Sequence, residues 1–176
     1  MPRPTLVIVS GPGGTGKTTL AHELARLIGC PAVCRDEIKE GMVHAAGGDA
    51  FEAAPGDPLT QRTLPVFFNV LRVLVENEVT VVAEAAFQNH VWTPNLAPLL
   101  PVAEVRVVQC HADPAAVRAR FIERGARSAH ADEEWLVDWD QRVRDFERLS
   151  LRVPSIDVDT TDGYRPAIED VVSFVS

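Results

Sequence analysis

The chain has 176 residues, 46% of them hydrophobic, which is enough for one domain with a real core and too few for two ordinary ones. Seventeen basic against 25 acidic side chains leave a net charge of -8, which repels a long polyanion such as nucleic acid unless a local basic patch offsets it. No apolar run reaches the length of a membrane span, and the opening MPRPTLVIV lacks the apolar region and cleavage site of a secretory signal, so no membrane partner and a cytoplasmic location are expected.

Short, nearly continuous apolar runs alternate with helical patterns from end to end, the signature of an α/β fold on a largely parallel sheet. The first predicted strand, Thr5–Ser10, runs into Gly11-Pro12-Gly13-Gly14-Thr15-Gly16-Lys17-Thr18, which fits G-x-x-x-x-G-K-[ST] at every fixed position. Glycines here let backbone N–H groups approach phosphate oxygens, and the next helix, Lys17–Ile28, turns its positive dipole end toward them. Lys17 then neutralises the β- and γ-phosphates, the Thr18 hydroxyl ligates Mg²⁺, and Thr19 is assigned to the α-phosphate. Residues 11–18 are therefore expected to hold a nucleoside triphosphate.

The second predicted strand, Ala32–Arg35, is flanked by Cys30 and Cys34. No second ligand pair follows, so these two and Cys110 read as small buried hydrophobes rather than metal or disulfide partners. The strand ends in Arg35-Asp36. Asp36 could take the proton of an attacking hydroxyl while Arg35 steadies an anionic acceptor, or it could simply cap a helix beginning at Glu37. Gly41 to Pro58 is rich in Gly, Ala and Pro and reads as a mobile stretch within an acceptor-side segment of residues 37–63, even though its start could continue a helix from Asp36. A helix follows from Thr63 to Asn77, with Pro65 near its first turn.

The third strand, Thr80–Ala85, carries one charge. Glu84 could hold a water on Mg²⁺ or contact the acceptor hydroxyl, or it could pair with an arginine. Gln88, Asn89, His90 and Trp92 come next and are expected to line the crevice, with His90 a candidate acceptor contact. After the fourth strand, Glu104–Cys110, Asp113 caps a helix opened by Pro114 and running to Arg124. Arg118, Arg120, Arg124 and Arg127 cluster there and suit a lid over residues 114–132 that stabilises a transferring phosphoryl group; a solvated basic helix face is the alternative. A longer helix, Asp132–Leu149, places Trp135 and Trp139 four apart, as core or as an aromatic wall. The strand Ser155–Asp159 and a helix over Pro166–Val175 close the chain.

Together GPGGTGKTT, CRDEIKE and RARFIERGARSAHAD resemble a P-loop kinase family of AAA-like ATP-binding proteins that groups polynucleotide 5′-hydroxyl kinases, zeta toxins and chloramphenicol phosphotransferase. The resemblance implies a P-loop NTPase three-layer α/β/α fold in a single domain, with a five-stranded parallel sheet in the order 2-3-1-4-5 and a small helical lid. It also implies ATP with Mg²⁺, Asp36 as general base, Lys39 on an acceptor phosphate, and Arg120, Arg124 or Arg127 as lid residues. Lys39 stands where the polynucleotide kinases have Arg, and lysine cannot make the same bidentate grip. No phosphatase or ligase domain is expected beside this single domain in these 176 residues, and the composition is acidic. The expectation is therefore an ATP-dependent phosphotransferase acting on a hydroxyl of a small molecule, such as an antibiotic, a nucleoside or a sugar-like metabolite. A 5′-hydroxyl polynucleotide kinase and a nucleotide-dependent switch protein are the alternatives.

Overall fold

A computed structural model describes residues 3–47, 57–124 and 139–176, leaving out the side chains of Arg124, Trp139 and Asp140. Five parallel strands, β1 (Thr5–Ser10), β2 (Ala32–Cys34), β3 (Val81–Glu84), β4 (Glu104–His111) and β5 (Ser155–Asp159), form one sheet in the order β2-β3-β1-β4-β5. This is the expected order.

The apolar runs become central strands because both faces of the sheet are covered. Alternate residues of β1 point opposite ways. Leu6 and Ile8 join Val81, Ala83, Val105 and Val107 under α3 (Pro58–Glu76) and α4 (Asn89–Leu96), which contribute Phe67, Leu71, Trp92 and Leu96. Val7 and Val9 join Val82, Val108 and Val158 on the other face, under α1 (Lys17–Ile28) and α7 (Ile168–Val175), with Leu20, Leu24, Val171 and Val175. The other helices among the described residues are α2 (Arg35–Ala45), α5 (Pro114–Arg124) and α6 (Trp139–Arg144).

The structure departs from the sequence reading at three helices. The helix expected from Thr63 begins at Pro58, because the Asp57 carboxylate accepts from Thr60 N at 2.7 Å and so supplies an N-cap ahead of a proline at the first position. Of Gln88, Asn89, His90 and Trp92, expected to line the crevice, Gln88 stands at the N-cap of α4 and the other three belong to the helix. Its Trp92 is fully buried against Phe67, Phe68 and Phe87 and donates Nε1–H to Ser10 Oγ at 3.2 Å. A large ring with a satisfied donor gains more in the core than in a crevice. Within the expected helix Asp132–Leu149, helical structure ends at Arg144, and Trp135 lies outside the described residues. The chain leaves the helix to bury Leu149, whose carbonyl accepts from Gln109 Nε2 at 2.8 Å, and to deliver Ser155 to the sheet.

Candidate active site

All five strands point their carboxyl ends the same way, so whatever follows them gathers along one edge. In spatial order this edge carries Arg35-Asp36 after β2, Glu84 ending β3, the glycine-rich loop after β1, the His111–Asp113 turn after β4, and Thr160-Thr161 after β5.

The loop is braced from both sides. A Cβ on Gly11 would collide with the Cys110 carbonyl of β4, so only glycine lets the chain leave the sheet this close to its neighbour. Gly14 has a φ of +79°, and a Cβ there would lie 2.5 Å from both Val117 and Phe121, which press α5 against the loop. Thr15 Oγ1 donates to Pro12 O at 2.8 Å, and Thr160 Oγ1 donates to Thr15 O at 2.7 Å, tying the loop to the end of β5.

Lys17 opens α1 and is buried. Its ammonium folds back over the loop, donating to Pro12 O at 2.8 Å and standing 3.8 Å from Glu84 Oε1. The other carboxylate oxygen, Glu84 Oε2, accepts from the Thr18 hydroxyl at 3.1 Å. Burial pushes the Glu84 carboxyl above its ordinary range, as do the nearby charges of Asp36 and Glu37, while the Lys17 charge and the Thr18 hydrogen bond oppose the rise. The partner of Glu84 is thus Lys17, not one of the arginines considered from sequence. Because the Thr18 proton is committed to Glu84, the hydroxyl oxygen keeps lone pairs for a cation, and the carboxylate beside it suits a hydrated dication. Thr19, next in α1, is exposed.

On the β2 side, α2 starts at Arg35 with Cys34 in the N-cap position and no side-chain cap. Asp36 is therefore inside the first turn and does not serve as the cap. Arg35 NH1 donates to Asp36 Oδ1 at 2.9 Å, and Arg35 Nε is buried without a hydrogen-bond partner among the described residues. Lys39, implied as a contact to an acceptor phosphate, is buried with its ammonium 2.8 Å from Asp57 Oδ2. That pair locks α2 to the cap of α3. Burial works to raise the Asp57 carboxyl, but Lys39 and the two Thr60 hydrogen bonds outweigh it and hold the carboxyl at about 2.

On the other side, Arg120 NH2 donates to the carbonyls of Thr160 and Thr161, while NH1 is buried, lacks a partner among the described residues and lies beside Gly16. An orphaned guanidinium N–H facing a phosphate-type loop fits an anionic ligand. A cleft of about 240 Å³ lined by Asp113, Asp159, Thr161, Asp162 and Arg165 opens at the ends of β4 and β5, and its Thr161 carbonyl accepts from Arg120 NH2. His90 is exposed, and its Nδ1 lies 3.1 Å from Glu147 Oε2 in a surface hydrogen-bond contact. The Arg124 side chain and Arg127 lie outside the described residues.

Sequence reasoning missed Thr160 and Asp57. Asp57-Pro58 carries the same cap signal as Asp113-Pro114, whose carboxylate accepts from Ala115 N at 2.8 Å, but the surrounding glycines and prolines masked it. Thr160 had only one clue, a small polar residue at a strand's carboxyl end.

A glycine-rich loop between β1 and α1, closed over by a lysine and set beside a β3 carboxylate in a 2-3-1-4-5 sheet, defines a P-loop nucleotide-binding fold of the kinase type. Residues 6–149 match the family model described as an AAA domain, and the chain belongs to that family. No curated protein matches it in sequence.

Among solved structures, the fold resembles that of a protein from Chloroflexus aurantiacus j-10-fl provisionally described as a kinase, with a TM-score of 0.78 and 22% identity over 98% of this chain and 97% of that one. It also resembles a sugar kinase from Janibacter sp. HTCC2649, with a TM-score of 0.68 and 17% identity over 97% and 94% of the two chains. The APS kinase of Mycobacterium tuberculosis, solved with AMPPNP and APS, gives a TM-score of 0.62 and 13% identity over 99% and 98%. Among the described residues no helix is long and apolar enough to cross a membrane.

Proposed function

We propose that the protein is an ATP-dependent phosphotransferase that moves the γ-phosphoryl group to a hydroxyl of a small molecule, with Mg²⁺ as cofactor. The observation that carries this reading is the division of one strand-end edge by the Lys17–Glu84–Thr18 cluster. An orphaned Arg120 N–H and an open cleft lie on the β4–β5 side, and a carboxylate with a half-orphaned arginine lies on the β2 side.

In this reading the amides of the loop containing Gly11, Gly13, Gly14, Thr15 and Gly16 hold phosphates, with Lys17 neutralising them and Thr19 near the α-phosphate. Thr18 and, through water, Glu84 hold the cation. Arg120 supports the donor from α5, and the β5-side cleft takes the nucleoside. Bound ATP–Mg²⁺ supplies the electrophilic phosphoryl group and the dication that offsets its charge. Asp36 accepts the proton of the attacking hydroxyl, and the Arg35 guanidinium, already fixed against Asp36, orients the acceptor. Arg124 and Arg127, from the lid side, stabilise charge on the transferring group. Lys39 shapes the acceptor side through Asp57. Relatives of the same fold described as a sugar kinase and an APS kinase support a small acceptor, as does the net charge of -8.

The test is mass spectrometry of hydroxylated antibiotics, nucleosides, sugars and 5′-hydroxyl oligonucleotides after incubation with the protein, ATP and Mg²⁺. A phosphate-sized gain on a small molecule is expected. Gain on oligonucleotides alone, or on nothing in the panel, would overturn the proposed acceptor class.

A further inference from the structure

Outside the phosphate loop, three side chains from three different elements converge where α1, β2 and α2 meet. His22 Nε2 of α1 lies 2.6 Å from Glu37 Oε1 of α2 and 3.7 Å from Cys34 Sγ at the end of β2. All three donor atoms fall within 4.8 Å of one another, with His22 and Glu37 exposed and Cys34 buried behind them. None of these residues has a role in the proposed phosphoryl transfer.

We propose that His22, Cys34 and Glu37 form a binding site for one borderline-soft divalent cation of the zinc type, with water completing the coordination. The donor set is the first reason. Imidazole nitrogen, thiolate sulfur and carboxylate oxygen are the ligands zinc takes in proteins, whereas magnesium and calcium avoid sulfur.

Spacing is the second. Donors on a tetrahedral zinc stand roughly 3.3–3.6 Å apart, given bonds of about 2.0–2.3 Å. The 3.7 Å between Cys34 and His22 already matches, and the 2.6 Å between His22 and Glu37 has to open by roughly 0.7 Å, within reach of a half-exposed glutamate side chain.

Charge is the third. The carboxylates of Glu84, Glu37 and Asp36 act on Cys34 with negative charge, a potential that attracts a dication. Thiolate ligation of the cation would release the Cys34 proton to solvent. His22 Nε2 faces both the Glu37 carboxylate and the Cys34 sulfur, so one ring nitrogen is shared between the other two donors.

A cation there would staple a three-residue edge strand to the helices on either side of it. Among the described residues β2 pairs only with β3, and α2 carries Arg35 and Asp36, so the staple would stiffen the acceptor side of the sheet. It would also raise the melting temperature by mass action, because the unfolded chain does not bring these three donors together.

The experiment uses the full chain stripped of metal, in a thiol-free reductant, titrated with Co²⁺ alone. One equivalent should bind with a near-ultraviolet sulfur-to-cobalt charge-transfer band, be displaced by Zn²⁺, and raise the melting temperature with either metal. Cys34→Ser should abolish the band while Cys30→Ser keeps it. His22→Ala and Glu37→Gln, both at the exposed surface and so harmless to the fold, should each weaken Co²⁺ binding by about tenfold or more. Absence of the band in the parent chain, its survival in Cys34→Ser, or unchanged affinity in both His22→Ala and Glu37→Gln would overturn the site. No step of this test involves ATP or an acceptor, so its failure leaves the phosphotransferase reading untouched, and the reverse also holds.

Discussion

Arg120 illustrates how a single side chain can have both a structural and a ligand-facing half. One guanidinium nitrogen holds the Thr160 and Thr161 carbonyls, fixing the α5–β5 corner, while the other is buried beside Gly16 with no partner among the described residues. A buried donor left unpaired is costly unless something arrives to accept from it, and phosphate oxygen is the natural acceptor at this loop. Arg120→Met should therefore weaken ATP binding about tenfold, the equivalent of a charge-assisted hydrogen bond of about 1.5 kcal/mol, measured by calorimetry on the folded variant. Unchanged affinity would reduce Arg120 to its structural half. At this scale the sequence was legible where a motif fixes spacing, as in the loop, and where a lone charge interrupts an apolar strand, as at Glu84, which is buried beside Lys17. It was poor where the partner lies far along the chain, as with Lys39 and Asp57 or His90 and Glu147.

Among elements, the junction of α2 and α3 shows the energetic use of such cancellation. Asp57 caps α3 and neutralises Lys39 in one place, so removing its charge strands a buried ammonium. Asp57→Asn keeps the capping oxygen but not the charge, and should cost about 3 kcal/mol in chemical denaturation. The pH dependence has a definite sign. With the carboxyl held at about 2 against 3.8 for an ordinary aspartate, its contribution is complete above pH 3.8 and is lost as pH falls from there toward 2. Acid unfolding of the parent chain should show this loss, and Asp57→Asn should lack it. The helix boundaries that sequence missed follow the same logic. α3 starts at a cap hidden among loop-forming residues, and α4 forms because Trp92 needs the core and the Ser10 hydroxyl, neither of which is local to it.

For the molecule as a whole, the sheet order does most to convert sequence into a site. Strand identities and helix α1 were readable because buried parallel strands are continuous apolar runs and the glycine-rich loop fixes where the first helix begins. The order 2-3-1-4-5 came from the resemblance, since no local pattern says which strands are neighbours. That order separates the β4–β5 side, with Arg120 and Thr160, from the β2 side, with Arg35 and Asp36, and places Lys17, Thr18 and Glu84 between them; in the proposed function these are the donor and acceptor sides. The decisive experiment for this division of labour follows phosphate gain on the acceptor and ATP binding together in the parent chain, Lys17→Ala and Asp36→Asn. Lys17→Ala should lose transfer and bind ATP more weakly, whereas Asp36→Asn should bind ATP as the parent does while transfer falls by about a hundredfold or more. Transfer near the parent rate in either variant, or an equal loss of ATP binding in both, would contradict it.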